Sequence, residues 1–154
     1  MPSGSDRLKV HEHRTEILLP RSREEVFGFF ADAGNLQAIT PDWLRFGILT
    51  PLPIEMRQGA LIEYRLRLRG IPLRWKTGIT AWDPPRRFVD EQLRGPYRLW
   101  VHEHTFREAD GGTLVGDYVR YAVLGGTLVN KLFVERDVRR IFEYRQERLR
   151  ERFG

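Results

Sequence analysis

Between Ala60 and Tyr121 apolar and polar residues alternate, and turn signals break the alternation at short intervals. Ile62, Tyr64, Leu66 and Leu68 alternate with Glu63, Arg65, Arg67 and Arg69. After Gly70-Ile71-Pro72, Leu73, Trp75, Thr77 and Ile79 alternate with Arg74, Lys76 and Gly78. Asp83-Pro84-Pro85, Gly95-Pro96 and Asp110-Gly111-Gly112 then separate runs at Phe88–Leu93, Trp100–Phe106 and Thr113–Tyr121. A side-chain period of two marks a strand with one wet face and one covered face. Short turns between such strands make hairpins, so the sheet is antiparallel. Roughly six strands in succession therefore share an apolar face that another layer has to cover.

The flanking segments supply that layer. Lys9–Leu19 reads as a first strand. Ser22 is placed to cap a helix through Val26, Phe27, Phe29 and Phe30, with Glu25 completing a capping box and Gly34 ending it. Asn35–Thr40 predicts one more short helical turn, stopped by Pro41. Pro41–Gly59 is irregular, with a short strand near Phe46–Leu49. Its Trp43, Leu44, Ile54 and Met56 either cover the core edge or form a lid. After Gly125-Gly126, a long helix runs to about Arg152, with Thr127 as its cap and Leu128, Val134, Val138, Ile141, Phe142 and Leu149 as its apolar stripe. It is the one element large enough to cover the sheet. The expectation is an α+β domain over 9–154, with 1–8 as a flexible tail: a curved antiparallel sheet of six to seven strands around a long C-terminal helix, with one or two short helices after the first strand.

Composition narrows the chemistry. The chain has 154 residues and no cysteine, which excludes disulfides, thiolate catalysis and cysteine-bound metal centres. A cysteine-free chain fits a reducing compartment, with the cytoplasm as the default expectation. Serine occurs only at Ser3, Ser5 and Ser22, in the tail or a cap, which argues against a serine hydrolase. No glycine-rich phosphate loop is present. The net charge is +5. Without a nucleic-acid motif beside it, that charge reads as a solvated surface, and no nucleic-acid partner is expected. Arg65, Arg67, Arg69, Arg74 and Lys76 on the outer sheet face could make transient contact with an anionic membrane surface.

Trp100-Val101-His102-Glu103-His104-Thr105-Phe106 carries the sharpest signal. Parity puts Trp100, His102, His104 and Phe106 on one side, and the aromatic rings mark that side as interior. If the 110–112 turn is tight, His104 lies opposite Asp117, His102 opposite Val119 and Trp100 opposite Tyr121. A similar turn at 95–97 puts Gln92 near His102 and Asp90 near His104. Asp90, Gln92, His102, His104 and Asp117 thus share a face. Such a cluster has three readings: a satisfied buried network, a ligand-orienting wall in an apolar pocket, or an acid–base or metal site. His102 and His104 could ligate zinc, with Asp90 or Asp117 as third ligand, but the spacing is weak evidence and no metal or other cofactor is expected. Arg145 falls on the stripe of the last helix; it either snorkels at the edge or points inward to a carboxylate or an anionic ligand group. The apolar wall of a pocket would come from Tyr64, Leu66, Trp75, Trp100, Val119, Tyr121, Val138 and Phe142.

This order of elements resembles the helix-grip fold of the START-like (SRPBCC) superfamily. The segments that carry the likeness are Pro20–Phe27, Asp83–Phe88 and Trp100–Phe106 leading to Gly112-Thr113. They look most like the bacterial polyketide cyclase/dehydrase-like branch. The resemblance implies a deep, largely apolar cavity between sheet and helix; it does not imply a reaction. The expected function is binding of a small hydrophobic ligand, such as a lipid, polyketide-like, isoprenoid or aromatic molecule, by a monomer or homodimer. The alternative is a cyclase, aromatase or dehydratase in which His102 or His104 moves protons and Asp90 or Asp117 sets the tautomer.

Overall fold

The computed structural model describes residues 8–154. The anticipated tail therefore lies outside the described residues except for Leu8. Seven strands form one antiparallel sheet: β1 (His11–Leu19), β2 (Gly47–Ile48), β3 (Leu61–Leu68), β4 (Ile71–Asp83), β5 (Arg87–Arg94), β6 (Leu99–Ala109) and β7 (Gly112–Ala122). Their order across the sheet is β1-β7-β6-β5-β4-β3-β2. Consecutive strands from β2 to β7 are neighbours, as hairpins require, and β1 closes the far edge against β7. Two hairpins turn tightly. Arg69 and Gly70 (φ 50° and 80°) join β3 to β4, and Asp110 and Gly111 (φ 46° and 78°) join β6 to β7. Paired positive φ values match the right-handed twist of the flanking strands.

Helix α1 (Arg23–Ala31) follows β1. Ser22 Oγ caps it by accepting from the Glu25 N–H at 3.2 Å. Only half of the expected capping box forms, because the Glu25 carboxylate turns to Arg21 instead. The helix ends at Ala31, before Gly34, because Asp32 leaves the helical conformation and its carboxylate accepts from the Gly34 N–H. Single 3-10 segments follow at Ala33–Ile39 and Asp42–Leu44.

The C-terminal rod starts differently from expectation. Gly125, not Thr127, is the cap; α2 (Gly126–Val129) runs through a π-turn at Asn130–Val134 into α3 (Glu135–Phe153). A π-turn inserts an extra residue and rotates what precedes it. The stripe therefore changes phase: Val138, Phe142, Arg145, Leu149 and Phe153 are buried, while Leu128 is exposed. α3 lies along the concave face of the sheet, giving the sheet-around-helix arrangement. No helix is long and apolar enough to cross a membrane among the described residues.

The interior has three apolar groups. Leu19, Val26, Phe27, Phe106, Val115, Leu149 and Phe153 belong to the one between α1, the sheet and the end of α3. Val119, Tyr121, Val123, Val138 and Phe142 pack at the start of α3. Leu44, Leu66 and Trp75 form the third, beneath β3 and β4.

Candidate functional site

Between β3–β6 and α3 lies a cavity of about 190 Å³. Tyr64, Leu66, Trp75, Trp100 and Phe142 line it, and so do Asp90, His102, His104 and Arg145. An enclosed apolar space of about 150 Å³ accommodates benzene, so this one suits a ligand of one or two rings. Five expected wall or site residues do not reach it; one is Asp117, which is buried behind the cluster where it bonds His102 and Arg145. Val119, Tyr121 and Val138 are packed against one another under the start of α3, and the Tyr121 hydroxyl donates to Asn130 at 2.8 Å. Gln92 is spent on the turn: its amide donates to the Tyr97 carbonyl at 2.8 Å and accepts from the Tyr97 N–H at 3.0 Å.

The β6–β7 register matches expectation, with His104 opposite Asp117, His102 opposite Val119 and Trp100 opposite Tyr121. The β5–β6 register is two residues away: Asp90 lies opposite His102, and Phe88 opposite His104. The Gln92–Tyr97 bonds widen the turn, which accounts for the shift. A two-residue shift preserves the face, so Asp90 still joins the cluster.

The polar bonds cross the strands diagonally. Asp90 sits opposite His102, yet its Oδ2 accepts from His104 Nε2 at 2.6 Å. Asp117 sits opposite His104, yet its Oδ1 accepts from His102 Nε2 at 2.7 Å. The two imidazoles stack with centroids 3.7 Å apart. Arg145 points inward from α3; its Nη2 donates to His104 Nδ1 at 3.2 Å and Asp117 Oδ1 at 3.3 Å. His104 is therefore neutral, with a proton on Nε2 and a lone pair on Nδ1. Burial and then the charge of His102 press its pKa down to about 4, against the pull of Asp90. Burial works to raise both carboxyls, but the hydrogen bonds and positive charge around them prevail. Asp117 is held far below the usual carboxylate range by Arg145 and then by His102, and Asp90 is lowered by His102 and His104.

This arrangement suits a hydrogen-bonded network better than a metal centre. Ligand atoms of Asp90, His102 and His104 lie within 4.8 Å of one another. However, the stacked rings, inclined by 27°, hold their in-plane lone pairs side by side. A tetrahedral zinc needs them to converge at about 2.0–2.1 Å. The guanidinium against His104 adds an unfavourable charge.

Several cavity residues were not anticipated. Thr77 and Ile79 on β4, Phe88 on β5 and Phe30 on α1 reach the space; of the four apolar residues of the irregular segment read as core-edge cover or lid, Leu44 and Met56 line it and Ile54 does not. Trp43 does not; it is exposed and packs on Tyr144. Thr77 was visible as the one polar residue on the inward side of β4, bonded here to the Tyr64 hydroxyl at 2.8 Å. Tyr97 comes from a turn, and no periodic signal marks a turn residue.

No family model and no curated protein sequence matches the chain. Solved structures do. Protein Ms6760 from Mycobacterium smegmatis is similar at 16% identity and TM-score 0.67, over 91% of this chain and 88% of that one. The major latex-like protein 151 of Panax ginseng aligns at 12% identity and TM-score 0.70, over 96% and 99%. The di-domain ARO/CYC StfQ of the steffimycin biosynthetic pathway aligns at 11% identity and TM-score 0.69, over 92% of this chain and 50% of that one. At such identities the likeness shows the fold alone: the chain has the START-like, helix-grip fold.

Proposed function

We propose that this protein binds a small, largely apolar ligand in the cavity between sheet and α3 and acts as its carrier. The observation that supports this is the cavity itself: a space of about 190 Å³ whose apolar walls meet one compact polar cluster. Transfer of apolar surface out of water favours entry by roughly 25 cal/mol per Å². The cluster then selects the orientation of the ligand's polar end. The ARO/CYC and latex-like neighbours share the architecture, and the function is argued from the site. The cysteine-free sequence favours a cytoplasmic setting. Transient contact with anionic membranes through exposed Arg65, Arg67 and Arg74 belongs to the same proposal; vesicle binding that weakens as salt rises would support it.

Trp75 and Trp100 line the space, so ligand entry has a built-in reporter. Titration with the neutral two-ring dye Prodan is expected to brighten the dye and quench tryptophan emission. Leu66→Trp, which fills the space, should weaken dye binding by about tenfold or more while the fold survives. A wild-type protein that leaves the dye unchanged overturns the carrier reading. Native mass spectrometry of protein from its own host would then name the cargo.

One observation favours an enzymatic reading. Asp117 holds His102 Nε2, and Nδ1 of the same ring makes no hydrogen bond among the described residues. An imidazole held at one nitrogen and open at the other has the layout of a general base. Both nitrogens of His104 are already engaged, so His102 is the candidate. Protein-dependent deuterium exchange next to the carbonyl of 2-tetralone, lost in His102→Asn, would establish this reading; no exchange above buffer would remove it.

A further inference from the structure

The polar wall of the cavity leaves open one particular kind of hydrogen bond. Within the cluster, the side chains of His102, His104, Asp117 and Arg145 are 7% exposed or less, whereas that of Asp90 is 16% exposed. Its Oδ2 accepts from His104, and no donor among the described residues bonds its Oδ1. A carboxylate oxygen in that position accepts and cannot donate. The carboxyl is held ionised at neutral pH because His102 and His104 outweigh its burial.

The neighbouring strands offer the complement. The hydroxyls of Tyr64 on β3 and Thr77 on β4 bond each other at 2.8 Å. Two hydroxyls carry two protons and their mutual bond uses one, so one remains to donate. Both residues line the same cavity as Asp90. Burial, and next the charge of Asp90, raise the Tyr64 pKa, which keeps the phenol protonated and places the two groups within each other's field. The wall therefore presents an open acceptor and a spare donor together.

We infer that the ligand carries a hydroxyl, as an alcohol, phenol or enol, that donates to Asp90 and accepts from the Tyr64–Thr77 pair, on an otherwise apolar body. This inference rests on the carrier reading and deepens it. A hydroxyl is the smallest group that both donates and accepts. A ligand carboxylate meets Asp90 on the wall and a guanidinium already bound to the buried Asp117 at 3.3 Å; Arg145 Nε is buried without a partner, but the two carboxylates outnumber the one cation. An ether or hydrocarbon leaves Asp90 Oδ1 without a donor in a dry site, and an unmatched buried acceptor is strongly rejected.

Three bicyclic probes of similar size separate these cases: 2-naphthol, 2-methoxynaphthalene and 2-naphthoic acid, titrated calorimetrically into the full chain at neutral pH. The naphthol is expected to bind about tenfold or more tighter than either of the others. Asp90→Asn keeps the shape and removes the charge, and it should reduce that preference to about threefold or less. Should the variant fail to fold, the wild-type ranking decides alone. A methoxynaphthalene or naphthoate that equals the naphthol, or binding of Prodan with none of the three, overturns the hydroxyl assignment and leaves the carrier reading standing. Failure of the dye and of all three probes overturns both.

Discussion

One end of the interior is solid and the other is hollow, and a single strand runs from one to the other. On β6, Phe106 is fully buried among Phe27, Phe30 and Phe88, with ring centroids 5.1, 5.2 and 6.1 Å away. Trp100 lies at the other end of the segment, where it meets Trp75 edge-on at 5.3 Å beside the cavity. His104 and His102 lie between them. His104 stacks on Phe88 at 4.0 Å, and His102 meets Trp100 edge-on at 6.5 Å. Helix α1 fills the solid end with Val26 and Phe27 and sends Phe29 and Phe30 to the edge of the cavity, whereas the hollow end is capped by 3-10 turns and an irregular chain. Close packing rewards every atom on one side of the histidines. On the other side the protein forgoes contacts that a ligand can restore.

The largest effects should fall on the solid end and the boundary. Phe106→Ala removes the centre of the aromatic cluster and is expected to cost about 3–5 kcal/mol in urea unfolding. Arg145→Met leaves two buried carboxylates without their guanidinium and should cost about 3–5 kcal/mol, with an acid transition moved to higher pH. A Phe106→Ala loss no greater than that of a cavity-wall truncation would erase the contrast between the ends. Next comes pH. The folded protein resists protonation of His104 down to about 4, whereas the unfolded chain takes that proton near 6.5. Stability should therefore fall as pH drops through this window, by about 2 kcal/mol between pH 6.5 and pH 5. His13, lowered chiefly by burial, acts in the same direction, and Asp90 and Asp117 extend the loss below the usual carboxylate range. His104→Asn should flatten the upper part of the profile. Leu66→Ala, at the wall of the void, should cost less than about 2 kcal/mol because fewer partners surround it. Smallest is Arg69→Ala. It breaks the exposed 3.0 Å pair with Asp137 that ties the β3–β4 hairpin to α3. That loss should stay under about 1 kcal/mol by thermal melting.

The contrast between the ends also marks what could be read from the chain. Strands, hairpins and covering helix were legible because periodicity and turn residues are local signals. The β6–β7 register was legible because Asp110-Gly111 makes a tight turn. The β5–β6 register was not, since the Gln92 side chain replaces a backbone pairing, and alternation cannot tell a shift of two from none. Arg145 was legible as a stripe position, while its inward aim depends on Asp117, 28 residues earlier. Val119, Tyr121 and Val138 belong to solid core because the π-turn sets how the start of the rod meets the sheet. Sequence patterns show which side chains face inward; where inward-facing side chains fail to meet is a property of three-dimensional packing.

The diagonal bonding of the two histidines bears on how the sheet avoids misassembly. Sliding β5 by two residues along β6 returns every apolar side chain to the correct face, so greasy contacts alone tolerate the wrong alignment. In that alignment Asp90 moves away from His102, and its bond to His104 has to be remade. An ionised group left unmated in a dry interior carries a heavy penalty. The five polar side chains thus act as a key that admits one alignment of β5, β6 and β7, whatever the vacant space beside them comes to hold.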